Sequence, residues 1–306
     1  MARMTFVPRP RFTWKLRTRE MKLGERTRIM AIVNLTPDSF SGDGLAERGI
    51  DAAVKAGCDA LDGGADILDL GAESTRPGTQ GISPDEEQAR LLPVLERICK
   101  ERPGAVISVD SYHASTARAA AGVGAEIVND VSGLHWDRDM AAAVAETGCG
   151  LVLMHTRGRP AEWRDLPPLG RDALMQTVFG GLIEGLALAE SAAIGSEGVV
   201  LDPGFGFGKV GVENFALLAD LGKLHQLGRP LLVGMSRKGF LGEAVARVQR
   251  GTEAPAAPNV ARRNATLAAN VAAILSGAHI LRVHDLQAAR ETAAVADAVL
   301  AADEML

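Results

Sequence analysis

The chain has 306 residues, 47% hydrophobic and 23% charged, with a formal net charge of −5. That mixture is ordinary for a globular enzyme, and the acidic balance argues against a nucleic-acid surface. The length fits two average domains or one large α/β barrel.

The N-terminus carries Arg3, Arg9, Arg11, Lys15, Arg17 and Arg19 with no apolar segment after them. This argues against a signal peptide, and no run is read as long enough to span a bilayer. Residues 1–27 are read as an extension, expected to form a hairpin closing one end of the fold, and residues 28–306 as a single domain. The first apolar run, residues 28–33 (RIMAIV), gives way at Asn34 to a polar, turn-rich loop. An Ala-rich helix is expected over 49–63, then a strand over 65–70. Ser83, Pro84, Asp85 and Glu86 carry the marks of a helix start: a capping hydroxyl, a proline in the first turn, acids on the positive end of the dipole.

The same grammar repeats down the chain. Strands are expected at 105–109, 125–128, 150–154, 198–201, 230–234 and 279–283, each followed by helical sequence. The helix from Glu213 is read as running to Leu227. A Pro/Ala insert at 253–258 interrupts the helical stretch after the seventh strand. Eight short aliphatic runs alternating with helices predict a parallel sheet closed as a (β/α)8 TIM barrel. A doubly wound open sheet is the alternative, and it loses because no GxGxxG follows the first strand. Cys58, Cys99 and Cys149 lack zinc-ligand or redox spacing. They are read as buried free thiols of a reducing compartment, the cytoplasm.

Polar residues recur at one phase of this pattern. Asn34, Thr75 with Arg76, Asp110, Asn129, His155, Asp202, Ser236 with Lys238, and Arg282 with His284 all lie just past strand ends. In a barrel that is the C-terminal rim, where barrel enzymes place their chemistry. Taken singly, Asp110 or Asn129 reads as a helix N-cap, Asn34 as a turn residue, and His155 and His284 as hydrogen-bonded histidines. Such readings do not account for eight strand ends at once. Arg282 inside a strand requires a partner in any case. Asp110, Asn129 and Asp202 offer acceptors suited to a flat heterocycle rich in N–H donors. Arg76, Arg282 and His284 suit phosphate, and Asn34 offers a neutral oxygen to a divalent metal. Lys238 could serve either set. A heterocycle beside a pyrophosphate suggests displacement of pyrophosphate from a heterocyclic carbon.

Six motifs carry a resemblance: NLTPDSFS at 34–41, GAESTRPG at 71–78, NDVSG at 129–133, DPGFGFGK at 202–209, SRK at 236–238 and RVHD at 282–285. In that order the chain resembles the dihydropteroate synthase family from about Ile29 to its C-terminus. The resemblance implies an enzyme of folate biosynthesis. Such an enzyme condenses 6-hydroxymethyl-7,8-dihydropterin diphosphate with 4-aminobenzoate, giving 7,8-dihydropteroate and pyrophosphate. It also implies a TIM barrel, Mg²⁺ as cofactor, sensitivity of the family to sulfonamides, and a homodimer through helices near the C-terminus. By the same resemblance Asp110, Asn129, Asp202 and Lys238 hold the pterin. Asn34 ligates Mg²⁺, and Arg282 with His284 grips the diphosphate. Thr75, Arg76, Pro77, Phe207 and Ser236 serve 4-aminobenzoate, Ser236 at its carboxylate. Lys238, Arg282, His284 and Asp202 are the catalytic set. Two departures stand out. The family acid of the first loop is displaced by one, onto Asp43, and Thr156 replaces a Met after His155. The roles of Asp43 and Met154 stay open. The alternatives are a pterin-dependent methyltransferase delivering to a corrinoid, and a catalytically silent homologue.

Overall fold

The structure is a computed structural model that describes residues 6–35, 49–73, 81–250 and 259–305. Of 249–250, 259–261 and 303–305 only the backbone is described. Asp43, Thr75, Arg76, Pro77 and the 253–258 insert lie outside the described residues.

An antiparallel hairpin, β1 (Phe12–Lys15) and β2 (Glu20–Leu23), comes first. The barrel strands follow. They are β3 (Arg28–Asn34), β4 (Ile67–Gly71), β5 (Ile107–Asp110), β6 (Ile127–Asp130), β7 (Gly150–Met154), β8 (Val199–Asp202), β9 (Leu232–Val233) and β10 (Ile280–Val283). All their pairings are parallel, in the order β8-β7-β6-β5-β4-β3-β10-β9. A bridge between Leu201 and Leu231, with Leu201 N–H donating to Pro230 O at 2.9 Å, joins β8 to the start of β9. The eight-stranded barrel expected from the sequence is thereby nearly closed.

The helices are α1 (Ile50–Asp62), α2 (Pro84–Glu101), α3 (Ala114–Val123), α4 (Met140–Thr147), α5 (Arg171–Ser191), α6 (Val212–Ala219), α7 (Gly239–Arg250), α8 (Asn259–Leu275) and α9 (Leu286–Met305). At the start of α2 the Ser83 hydroxyl accepts from Glu86 N–H at 3.2 Å, and Asp85, Glu86 and Glu87 fill the first turn. The helix expected from Glu213 to Leu227 is instead α6 followed by a 3₁₀ segment, Leu221–Leu227. The apolar pattern survives that change because Leu221 and Leu224 sit three apart, which is one 3₁₀ turn. α5 corrects a second expectation. An 18-residue window within its 21 residues has a mean hydropathy of 1.2, long and apolar enough to cross a membrane by length and composition. In the fold it is a barrel helix with Leu174, Met175, Val178, Leu182, Gly185 and Ala189 buried.

Alternation along the strands sorts the barrel interior into levels. The lower level is apolar: Met30, Ile67, Ile127, Val152, Val200, Leu232 and Ile280 form one cluster with Trp14, Leu16 and Leu23 of the hairpin region. Trp14 is fully buried, and its indole N–H donates to Gly198 O at 2.9 Å. A Cβ on Gly150 would stand 2.8 Å from Leu16 Cδ2, so the hairpin region packs against that strand's bare backbone. The hairpin thus plugs the N-terminal end. Two residues further along the strands the same face turns polar: Ile67 leads to Asp69, Ile127 to Asn129, Val200 to Asp202 and Ile280 to Arg282. The remaining aliphatic residues face outward and pack under the helices. With the apolar floor filled by the hairpin, the polar level of the barrel interior lies toward the C-terminal mouth.

Cys58 and Cys149 are buried free thiols as expected, whereas Cys99 is half-buried.

Candidate active site

Several strands end on residues singled out in the sequence. Asn34, Asp110, Met154 and Asp202 are the last residues of β3, β5, β7 and β8, and Asn129 is the penultimate residue of β6. Asp110 and Asn129 are in register on adjacent strands, as are Met154 and Asp202. Arg282 crosses the mouth as a fork. Its Nε donates to Asp69 Oδ2 at 2.6 Å and its Nη2 to Asp110 Oδ2 at 2.5 Å. The charge read inside the last strand therefore has two partners. A Cβ on Gly234 would stand 3.7 Å from Arg282 Cβ and 3.9 Å from Asp202 Oδ2. Asp202 thus lies across that glycine from Arg282.

Asp69 is the residue that the sequence reading missed. It is fully buried, and its Oδ2 also accepts from Asn129 Nδ2 at 3.3 Å. Its signal was present but weak: an acid on the inward phase of an aliphatic strand, two residues before Gly71. Strand-end residues drew attention instead.

Burial acts on the other ionisable groups. It pushes the Asp110 carboxyl up to about 7, opposed by the Arg282 guanidinium and assisted by the charge of Asp69. Burial also raises Asp202, whose charged form Lys238 favours. The Lys238 ammonium is pushed down to about 8 by burial, with Asp202 opposing. Lys238 Nζ donates to Phe205 O and sits 4.4 Å from the centroid of the Phe207 ring, a cation–π contact. Phe207 in turn meets Trp163 edge-on, with centroids 5.0 Å apart. Trp163 comes from the loop after β7, which matched no motif.

The loop after β8 is built around two side chains. Lys209, buried, donates its ammonium to the carbonyls of Gly204 (2.8 Å), His155 (3.2 Å) and Phe207 (3.2 Å). Asn214 accepts from Gly206 N–H at 2.7 Å and donates to Lys209 O at 2.9 Å. Asp202 Oδ1 accepts from Gly204 N–H at 2.7 Å, which aims the carboxylate as the chain turns. Gly204 has φ +68°, and a Cβ there would stand 1.9 Å from His155 O, so no larger residue fits. The glycines of this loop serve close backbone approach, here to the neighbouring strand end.

Ser236, expected at the 4-aminobenzoate carboxylate, has its hydroxyl on His284. It accepts from the His284 backbone N–H at 3.2 Å and lies 3.0 Å from Nδ1. Arg237 beside it holds φ +61°, strained for a non-glycine, with its N–H on Thr266 Oγ1 at 3.2 Å. His155 is buried, as read, and burial pushes its imidazole down to about 2, opposed by a hydrogen bond to the Pro203 backbone. It is neutral at any working pH. A Cβ on Gly71 would stand 3.5 Å from Asp110 Oδ2 and 3.7 Å from Asn34 Oδ1, so these two oxygens flank that glycine. A hard, hydrated cation could bind there, since Mg²⁺ takes few protein oxygens and completes its shell with water and phosphate. One further group, Glu73, Glu87 and His113, brings its ligand atoms within 4.8 Å of one another. Glu87 Oε2 there accepts from Ser111 at 2.9 Å and meets His113 Nδ1 at 3.0 Å, while Tyr112 donates to Glu73 at 2.7 Å. This network ties α2 to the segment after Asp110.

The strand ends thus carry carboxylate and amide acceptors at Asp69, Asp110, Asn129 and Asp202, cations at Arg282 and Lys238, and a serine–histidine pair at Ser236 and His284. Residues 30–284 match the family described as pterin binding enzyme. The chain belongs to the pterin-binding enzyme family. It is 41% identical over 285 residues to dihydropteroate synthase of Escherichia coli K12, covering 90% of this chain and 93% of that protein. It is 40% identical over 272 residues to the Mycobacterium leprae dihydropteroate synthase, covering 89% and 93%. Among solved structures, Yersinia pestis dihydropteroate synthase with a sulfonamide drug complex superposes with a TM-score of 0.84 at 35% identity, covering 95% of this chain and 100% of that one. The Xanthomonas albilineans dihydropteroate synthase with 4-aminobenzoic acid gives 0.81 at 38%, covering 94% and 98%. The chain is a transferase of the dihydropteroate synthase type.

Proposed function

We propose that this rim condenses 6-hydroxymethyl-7,8-dihydropterin diphosphate with 4-aminobenzoate through the following division of labour. The observation that carries it is the Arg282 fork on Asp69 and Asp110, on a strand that runs out two residues later at His284, itself on Ser236. Asp202 and Asp110 accept from the ring N–H and amino groups of the pterin, Asn129 adds an amide, and Lys238 donates from above. Arg282 and His284 hold the diphosphate. The amine lone pair of 4-aminobenzoate forms the C–N bond as the C–O electrons leave with the diphosphate. The amine then releases one proton. No strong base is required, because an aromatic amine attacks with its own lone pair. Protein donors aimed at the departing oxygens lower the barrier because charge accumulates there in the transition state. Asn34 Oδ1 is the protein oxygen that would hold Mg²⁺; the ion, when bound, neutralises charge on the diphosphate. Phe207, backed by Trp163, offers an apolar face to the benzoate ring. Thr75, Arg76 and Pro77 belong to the same reading by sequence.

Purified protein supplied with the pterin diphosphate, Mg²⁺ and 4-aminobenzoate is expected to release pyrophosphate only when all three are present. Tight pterin binding with no release in excess amine and Mg²⁺ would leave a silent homologue. The working compartment on this reading is the cytoplasm, and the assembly is a homodimer. Val295 and Val299 on α9 are exposed, and we place the partner there. Light scattering should give twice 32.1 kDa, falling to a single mass in Val295→Lys. A single mass for the unsubstituted chain sinks the dimer without touching the reaction.

A further inference from the structure

We infer that Asp69 is a positioning residue that couples the pterin end of the site to the diphosphate end. The inference rests on the functional reading above and deepens it.

Asp69 is fully buried, at the same level of the barrel as Asn129, Asp202 and Arg282. It acts through two other side chains. One oxygen, Oδ2, receives both Arg282 Nε at 2.6 Å and Asn129 Nδ2 at 3.3 Å. The first bond fixes the plane of the guanidinium. With Nε on Asp69 and Nη2 on Asp110, Nη1 is left without a partner among the described residues, as the group able to meet an anion. The second bond fixes the Asn129 amide. An amide whose nitrogen is turned to a carboxylate presents its oxygen on the opposite side. Asn129 therefore offers Oδ1 as an acceptor, which is what a ring bearing N–H donors requires.

Stability gives a poor account of this acid. Among the described residues its Oδ1 is buried with no hydrogen-bond partner. A buried carboxylate left half-satisfied is a weak stabiliser compared with an apolar residue of similar size. Its placement makes sense as an anchor shared by two recognition groups on different strands, Asn129 on β6 and Arg282 on β10. A shared anchor has a consequence that separate anchors lack. Loss of Asp69 must disturb the two half-sites together, and most of its effect on the pterin half must vanish once Asn129 is gone, leaving the share that passes through Arg282 to Asp110.

The test uses two probes, each for one half: 6-hydroxymethylpterin, which has the ring but no diphosphate, and inorganic pyrophosphate with Mg²⁺. Calorimetric binding of both is measured on the unsubstituted protein, Asp69→Asn, Asn129→Ala and the double variant, with thermal melting to verify folding. Asp69→Asn is expected to weaken each probe about tenfold, the scale of one lost charge-assisted hydrogen bond. In the Asn129→Ala background its effect on the pterin probe should shrink to about two- to threefold, the share carried through Arg282 to Asp110, since contacting residues couple and independent ones add. A folded Asp69→Asn that binds both probes normally overturns the inference. So does a loss of equal size in both backgrounds, which is what general loosening gives. If the unsubstituted protein binds neither probe, the functional reading fails instead.

Should Asp69→Asn not fold, the unsubstituted ¹⁵N-labelled protein still decides. One Asn129 Nδ2 proton, assigned by its loss in Asn129→Ala, should be shifted downfield and slow to exchange without ligand. A freely exchanging amide there overturns the inference.

Discussion

Arg282→Ala is expected to lower kcat/KM by about 10²–10³-fold, the scale of losing one preorganised donor to developing negative charge. It should also destabilise the fold, because removing one member of a buried ion pair strands the other. Here two acids are stranded, Asp69 fully buried and Asp110 with a side chain 13% exposed. A loss of about 3–5 kcal/mol is expected from that effect alone. The two consequences are separable. Arg282→Lys keeps a cation near both acids but loses the fork, since an ammonium cannot reproduce guanidinium geometry. It should recover much of the melting temperature and little of the activity. Steady-state pyrophosphate release and thermal melting, run on the same three proteins, check this. Full activity in Arg282→Ala would remove the diphosphate from this side of the mouth.

The second large effect is on pH. The profile of kcat/KM reports ionisations of the free enzyme, and two groups here have been moved toward neutrality. Asp110 is pushed up to about 7 and Lys238 down to about 8. The signs are opposite. Asp110 must be a carboxylate to accept from the pterin and to hold Arg282. As pH falls below its raised value it takes up a proton, and kcat/KM falls. Lys238 must be an ammonium to donate, so as pH rises past its lowered value kcat/KM falls again. A bell is expected, narrow and centred between the two, with each limb dropping about tenfold per pH unit. Asp110 interacts with Asp69 through Arg282, so the acid limb belongs to the cluster rather than to one oxygen. Lys238→Arg should erase the alkaline limb, because an arginine keeps its proton throughout. Asp110→Asn should erase the acid limb at a lower overall rate. A bell unchanged in both variants would assign the limbs to the substrates.

How legible the site was depends on where each residue sits along its strand. Asn34, Asp110, Asn129 and Asp202 were found because each ends or nearly ends an aliphatic run, where a polar residue breaks the pattern. Arg282 was found because a cation inside a strand breaks the pattern more sharply still. Asp69 escaped because it lies inside the strand expected over 65–70, before its end, where only strand-end polar residues were sought. Its partner lies 213 residues away, a separation at which nothing local marks the pair. Ser236 was read from its motif as a carboxylate ligand, yet its hydroxyl meets a histidine 48 residues further on. Trp163, behind Phe207, stood in a loop with no pattern to read.

The sequence by itself determined the periodic features of this protein. These are the count of eight βα units, the parallel barrel, the phase that puts chemistry at one rim, and the family those motifs belong to. The first three follow from local alternation and turn chemistry, which a short window of residues contains in full; the family follows from the resemblance of the six motifs in order. Tertiary structure alone decided which side chains share a proton donor or a charge. It set the Arg282 fork between two acids, the orientation of the Asn129 amide, and the three carbonyls around the Lys209 ammonium. It also moved Asp110 and Lys238 toward neutrality. Those properties depend on burial and on distances between strands, and closing the barrel is what brings the strand ends into a common, water-poor mouth.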